Sequence, residues 1–299
     1  MDISEIRDLY PFKSRFHALK EHRYHYIDEG NGEPVVMLHG NPTWSFMYRD
    51  LILEFRKTHR VVAPDHLGCG LSDKPGDFPY RLETHIDNLE NLLLSLKLKN
   101  INLLVHDWGA PIGLGFAVRH PKLIKSLVIL NSSAFSSNQL PWRIAVCKLP
   151  VVGEFLIRRC NLFSLAATRM TVENPLSDEV RRGYLLPYDS YENRVAINRF
   201  VRDIPIGPEA PSYEALLEIE HGLWLLRENP VCLVWGMKDW CFTPAFLERW
   251  LVYYPQAVTL RLRNAGHYVQ EDCGEELIAF VRHFLSHPEK RNRQPKRKG

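Results

Sequence analysis

Three side chains able to share one reaction sit where apolar runs end: Asp107, Asp239 and His267. Asp107 lies in Val105-His106-Asp107-Trp108-Gly109-Ala110, between a strand-like run and a helix-like one. A strained turn there would hold its carboxylate at the carboxyl edge of a sheet, and the small residues after it let helix and strand pack closely. Alone, such an Asp also reads as a helix N-cap. Asp239 follows the run ending in Trp235-Gly236-Met237-Lys238, and His267 sits in Asn264-Ala265-Gly266-His267-Tyr268 after the last run. Singly, each would be an ordinary loop residue. Together they stand in the order nucleophile, acid, histidine, each at the end of a strand, and that order points to catalysis.

An Asp nucleophile selects the chemistry. A carboxylate of ordinary pKa, about 3.9, is ionised at neutral pH and needs no base to attack a saturated carbon. A serine attacking that carbon would leave an inert ether, whereas Asp107 leaves an ester that water activated by His267 can open. Asp239 would orient the imidazole and stabilise its charged form. A fourth element is His39-Gly40-Asn41-Pro42-Thr43-Trp44. The backbone N–H groups of Asn41 and Trp108 are expected to form an oxyanion hole. Their side chains, an amide and an indole, are donors able to hold a leaving anion. Asn41 alone would read as a turn residue ahead of Pro42.

These residues need a scaffold. Residues 35–39, 60–63, 101–105, 126–130, 231–235 and 258–262 read as buried strands, and 44–57, 82–97, 110–119, 243–253 and 274–285 as helices. Their alternation predicts an α/β fold, a mostly parallel sheet flanked by helices. The rhythm breaks over 134–225, where helical character (142–159, 177–186, 193–201) and many aromatic and proline residues predict an inserted helical cap. The expected organisation is a core of 1–133 and 226–285, a cap of 134–225, and a basic, flexible tail of 286–299.

The chain has 299 residues, 45% apolar and 24% charged, which fits a folded globular protein and excludes a disordered one. Its net charge of +3 is concentrated in the tail, where six cations face Glu289 alone. The body therefore carries no nucleic-acid footprint, and the tail is the expected site of any peripheral membrane contact. The six cysteines form no CxxC or CxxH pair, so no metal site is expected. With no signal-like N-terminus and no span-length apolar run, the expected location is the cytoplasm.

His39–Trp44, His106–Gly109, Trp235–Asp239 and Gly266–Tyr268 resemble the haloalkane dehalogenase group of α/β-hydrolases. The likeness covers about residues 10–285. It implies Asp107 as nucleophile, His267 as base, Asn41 and Trp108 as the halide-stabilising pair, and no cofactor. Some members carry a Glu acid after the strand ending near Leu130; here Asn131-Ser132-Ser133 stands there, leaving Asp239 as the acid. A narrower resemblance rests on Pro64–Asp77, Leu186-Pro187-Tyr188-Asp189-Ser190 and Phe200-Val201-Arg202-Asp203-Ile204-Pro205. These are similar to the β-lactone decarboxylases of bacterial olefin biosynthesis, which turn cis-dialkyl β-lactones into cis-alkenes and carbon dioxide. That resemblance implies a hydrophobic small-molecule substrate. The partners it implies are the other olefin-pathway enzymes: a lactone-forming synthetase, a thiolase-like condenser and a reductase. Ala110-Pro111 departs from the small pair usual behind the elbow.

Dehalogenation is the first alternative. Epoxide hydrolysis would need acidic cap tyrosines, for which Tyr184, Tyr188 and Tyr191 are candidates. A non-catalytic ligand receptor would have no need of all five site residues.

Overall fold

The computed structural model describes residues 3–287. Strands β1 (Arg15–Leu19) and β2 (His22–Glu29) form an antiparallel hairpin. The others are β3 (Pro34–Leu38), β4 (Arg60–Pro64), β5 (Ile101–His106), β6 (Ile124–Leu130), β7 (Val231–Gly236) and β8 (Val258–Leu262). Their spatial order is β1-β2-β4-β3-β5-β6-β7-β8, antiparallel up to β4 and parallel beyond it. Leu38 pairs with Val105 and Val105 with Ile129, while Leu130 pairs with Val234. The central strands therefore end side by side, and whatever follows them gathers along one edge.

Period-two alternation splits the core between the two faces. Val36, Leu38, Leu103 and Val105 pack on one side, and Val35, Met37 and Leu104 on the other. Both faces are covered, which explains why the central strands read as continuous apolar runs. The core helices before the insertion are α1 (Arg49–Phe55), α2 (Leu82–Ser95) and α3 (Gly109–Arg119). Leu82, Ile86, Leu89 and Leu93 form the buried stripe of α2, each stabilising the fold by about 1.5–3 kcal/mol on full burial.

Between β6 and β7 the chain leaves the sheet for six helices: α4 (Trp142–Lys148), α5 (Pro150–Glu154), α6 (Leu162–Met170), α7 (Asp178–Leu185), α8 (Val195–Asp203) and α9 (Tyr213–Gly222). We take this stretch, 134–225, as the cap. Asp203 ties it to the core: its carboxylate accepts from the Leu82 N–H at 3.0 Å and from Arg81 at 2.8 Å, capping α2 from the other side. The helix α9 buries Ala215, Leu216 and Ile219 in the same cluster as α2 and α3. The chain ends with α10 (Pro244–Tyr253), α11 (Val269–Asp272) and α12 (Gly274–Ser286).

Several expectations are corrected. The hairpin β1–β2 was not foreseen; β1 is largely exposed and carries no apolar run. The helix expected over 142–159 breaks at Leu149, which is extended because Pro150 follows it. It resumes as α5 and a π-helical turn, Phe155–Arg159. The helices α6 and α9 had no counterpart. The strand β8 is an edge strand, mostly half-buried rather than buried. The expected tail falls, from residue 288 on, outside the described residues, while Ser286 still belongs to α12.

Candidate active site

Asp107 follows β5 directly and adopts φ +50°, the left-handed region that a residue with a side chain rarely occupies. Glycine makes the turn feasible on two sides. A Cβ on Gly109 would strike the Leu38 backbone, and one on Gly40 would strike the Asp107 side chain. Pro111 stands in the first turn of α3, where a missing N–H costs no intrahelical bond, so it leaves the elbow intact.

One carboxylate oxygen of Asp107, Oδ1, accepts the Asn41 backbone N–H at 2.7 Å. The other, Oδ2, lies 3.8 Å from His267 Nε2, too far for a direct hydrogen bond and close enough to feel its charge. Burial raises the Asp107 pKa above the ordinary carboxylate value. His267 and the backbone N–H groups of Asn41 and Trp108 oppose that shift without cancelling it. The expected oxyanion hole is thus aimed at an oxygen of Asp107, the expected nucleophile. That is where negative charge would collect if water attacked an Asp107 ester.

The Nδ1 atom of His267 donates to Asp239 Oδ2 at 2.8 Å, which leaves Nε2 facing Asp107. Burial lowers the imidazole pKa, but the Asp239 carboxylate, its hydrogen bond and Asp107 together outweigh burial and raise it. Phe242 stacks on the His267 ring, with centroids 5.6 Å apart. His106 packs against its other neighbourhood at 4.4 Å and donates from Nε2 to the His267 carbonyl oxygen at 3.0 Å.

Asp239 is buried and fully engaged. Besides His267, Oδ2 accepts from Asn131 Nδ2 at 2.8 Å, and Oδ1 accepts the Cys241 N–H at 2.7 Å. Asn131 is held in turn by Gly236, whose N–H donates to Asn131 Oδ1 at 2.8 Å. The sequence marked Asn131 only as a place lacking an acid; its amide role rests on a partner 108 positions away. The contact of His106 with His267 was likewise unforeseen.

The structure brings all five expected residues together. Asp107, His267, Asn41 and Trp108 line one cavity of about 460 Å³, and Asp239 backs His267. Asn41 Nδ2 donates one hydrogen to the Ile197 carbonyl oxygen at 3.3 Å, and an amide has a second to give. Trp108 packs on Phe200 of α8. The remaining walls are mostly apolar, with Leu82, Phe135, Ile144, Phe163, Ile204 and Phe246 prominent among them. Such a chamber suits an apolar ligand carrying one reactive polar group.

The three candidate tyrosines of the cap are occupied elsewhere. Tyr184 donates to Glu271, Tyr188 to the Thr43 carbonyl oxygen and Tyr191 to Glu154, and none of them lines the cavity. Among the described residues no group of three or more His, Cys, Asp or Glu side chains is placed to hold a metal ion. Nor is any helix among them long and apolar enough to cross a membrane.

This sheet, with a carboxylate at the elbow and an Asp–His pair on neighbouring strand ends, defines the class. Residues 33–272 match the α/β-hydrolase fold family, and the chain belongs to it as an enzyme of that fold. Within it the chain falls in the group that holds oxetan-2-one decarboxylases and haloalkane dehalogenases. It is 43% identical over 288 residues to the cis-3-alkyl-4-alkyloxetan-2-one decarboxylase of Shewanella oneidensis, covering 94% of this chain and 91% of that one. It is 40% identical to the protein of the same name from Xanthomonas campestris, over 87% of this chain and 91% of that one. Haloalkane dehalogenase 2 of Mycobacterium tuberculosis is 32% identical, over 94% of this chain and 98% of that one. Among solved structures, haloalkane dehalogenase DbeA from Bradyrhizobium elkani superimposes with a TM-score of 0.85 at 26% identity, over 92% of this chain and 98% of that one.

Proposed function

We propose that this enzyme decarboxylates cis-3-alkyl-4-alkyloxetan-2-ones to cis-alkenes and carbon dioxide, with Asp107 as a covalent nucleophile. The observation that carries the reading is an elbow carboxylate facing an imidazole inside a largely apolar chamber, in a chain 43% and 40% identical to two such decarboxylases. Oδ2 of Asp107 attacks the saturated ring carbon that bears oxygen. That carbon–oxygen bond breaks, ring strain is released, and the lactone oxygen leaves as a carboxylate beside the Asn41 and Trp108 side-chain donors. The carboxylate then leaves as carbon dioxide. The electron pair of the broken carbon–carbon bond forms the alkene and expels Asp107 as its carboxylate. Atoms and electrons balance with no water, cofactor or oxidant consumed.

In this scheme His267, held by Asp239, supplies positive charge 3.8 Å from the oxygen that must depart from the ester. Inversion at the ring carbon followed by anti fragmentation preserves the cis relation of the alkyl groups. The partners proposed for this step are the enzymes that make the lactone, and the proposed location is the cytoplasm.

A second reading, haloalkane dehalogenation, is favoured by the same Asn41–Trp108 pair and by the dehalogenase relatives. There a halide departs and water opens the ester, with neutral His267 as base. The test is to supply a cis-dialkyl oxetan-2-one and a bromoalkane in parallel. Alkene formed faster than bromide supports decarboxylation; bromide with no alkene overturns it.

A further inference from the structure

Exposed apolar surface on this molecule is concentrated. Of the fourteen large apolar side chains exposed among the described residues, nine fall between positions 142 and 170. They lie on α4, α5, the π turn and α6, which pack on one another in sequence. Val151 is 82% exposed, Trp142 69% and Phe155 58%. Scattered apolar residues need no explanation, whereas a cluster of this kind marks a surface that meets something.

The charges say what it meets. The exposed charged side chains of this stretch are Arg143, Arg159 and Arg169, and no exposed carboxylate accompanies them. Its one acid, Glu154, is half-buried and held by Arg158 at 3.1 Å and by the Tyr191 hydroxyl at 2.7 Å. Arg143 lies 5.0 Å over the Trp142 ring, an arrangement suited to a water–lipid boundary. Two copies meeting through this face would set arginines against arginines, which disfavours self-association.

The rim is also where the cavity surfaces. Trp142, Val146, Leu162 and Met170 are exposed and line the cavity as well. We propose that α4–α6 form a face that docks on an anionic phospholipid bilayer, with the arginines among the headgroups and the apolar side chains below them. The cavity mouth then opens toward the acyl layer. Docking is independent of the reaction proposed above; only the passage of an alkyl substrate from the bilayer rests on that reading.

The test uses the full chain and sedimentation with vesicles of phosphatidylglycerol and phosphatidylcholine, against vesicles of phosphatidylcholine alone. The expected result is preferential binding to the anionic vesicles. The double variant Val151→Asp, Phe155→Asp should weaken it about tenfold or more, and neither side chain lines the cavity. A second variant, with the six tail cations replaced by glutamine, should keep most of the binding and so separates the rim from the tail. Unchanged circular dichroism and unchanged turnover of a detergent-dispersed substrate show that the double variant is folded. Three results overturn the proposal: no binding by the parent, equal binding by the double variant, or parent dimers in sedimentation velocity that the double variant dissolves without any vesicle binding. Turnover is read separately, so a failed reaction and a failed docking are distinguishable.

Discussion

The strand-end edge of the sheet and the α4–α6 rim of the cap line the same cavity and are built on opposite terms. At the edge, the side chains of Asp107, Asp239, His267 and Asn131 are each held by hydrogen bonds. Asp239 accepts three hydrogen bonds, from His267, Asn131 and the Cys241 N–H, and it is almost fully buried. At the rim, large apolar side chains stand in solvent, and the only exposed charged side chains among them are arginines. The edge is assembled from residues far apart in sequence, brought together by strand register. The rim comes from one continuous stretch of about thirty residues. The difference teaches a division of labour between two proposals: the proposed chemistry rests on preorganised groups on rigid strands, and the proposed docking on a local, replaceable surface.

That contrast breaks most sharply at the nucleophile. Asp107→Asn should lower turnover by at least about 10⁴-fold in steady-state assay, since the amide keeps the shape and loses the attacking charge. Asn tolerates the left-handed backbone there, so the fold should survive. Its stability should rise at neutral pH. The folded-state pKa of Asp107 is raised by burial, so the stability linked to its proton is present at low pH and lost as pH rises through that pKa. Asn removes the cost of the buried charge, and thermal unfolding reads the gain.

Next in size is Asp239→Asn, which leaves His267 without its anionic partner and should cost about 10³-fold in kcat. Because His267 loses the charge that raises its pKa, any limb of the pH–rate profile that follows the imidazole should move to lower pH. The acid limb set by Asp107 lies above the ordinary carboxylate range in the parent, and activity falls as pH drops through it. A smaller effect is expected at Asn131. Asn131→Ala removes one donor from Asp239 and should lower kcat about tenfold with KM little changed. An unmoved kcat there would show that the Cys241 N–H and His267 suffice to hold Asp239. Smallest of all, the pair Val151→Asp, Phe155→Asp should leave turnover of a dispersed substrate within about twofold. A large loss there would mean that the rim shares in the chemistry and would erase the division between the two regions.

The edge was far more legible in the sequence than the rim. Central strands buried on both faces read as apolar runs, and Asp107 and Asp239 each follow one of them, while His267 comes after the edge strand β8, so their order could be read directly. Asn131 and His106 were not legible as positioning groups, because their partners lie 108 and 161 positions away and no spacing encodes them. The hairpin β1–β2 escaped for lack of apolar runs in β1, whose residues are mostly exposed. In the cap, Pro150 gave a local signal for a break that the helical pattern around it masked. The rim's exposed apolar residues look, in sequence, like those of a buried helix; only their solvent exposure separates the two.

The central claim is that Asp107 bonds covalently to its substrate, and intact-protein mass spectrometry of His267→Gln with a cis-dialkyl oxetan-2-one tests it most directly. The expected result is a mass gain equal to the whole lactone, mapped by peptide digestion to Asp107. Consumption of the lactone with no mass gain, or a gain on any other residue, would contradict it.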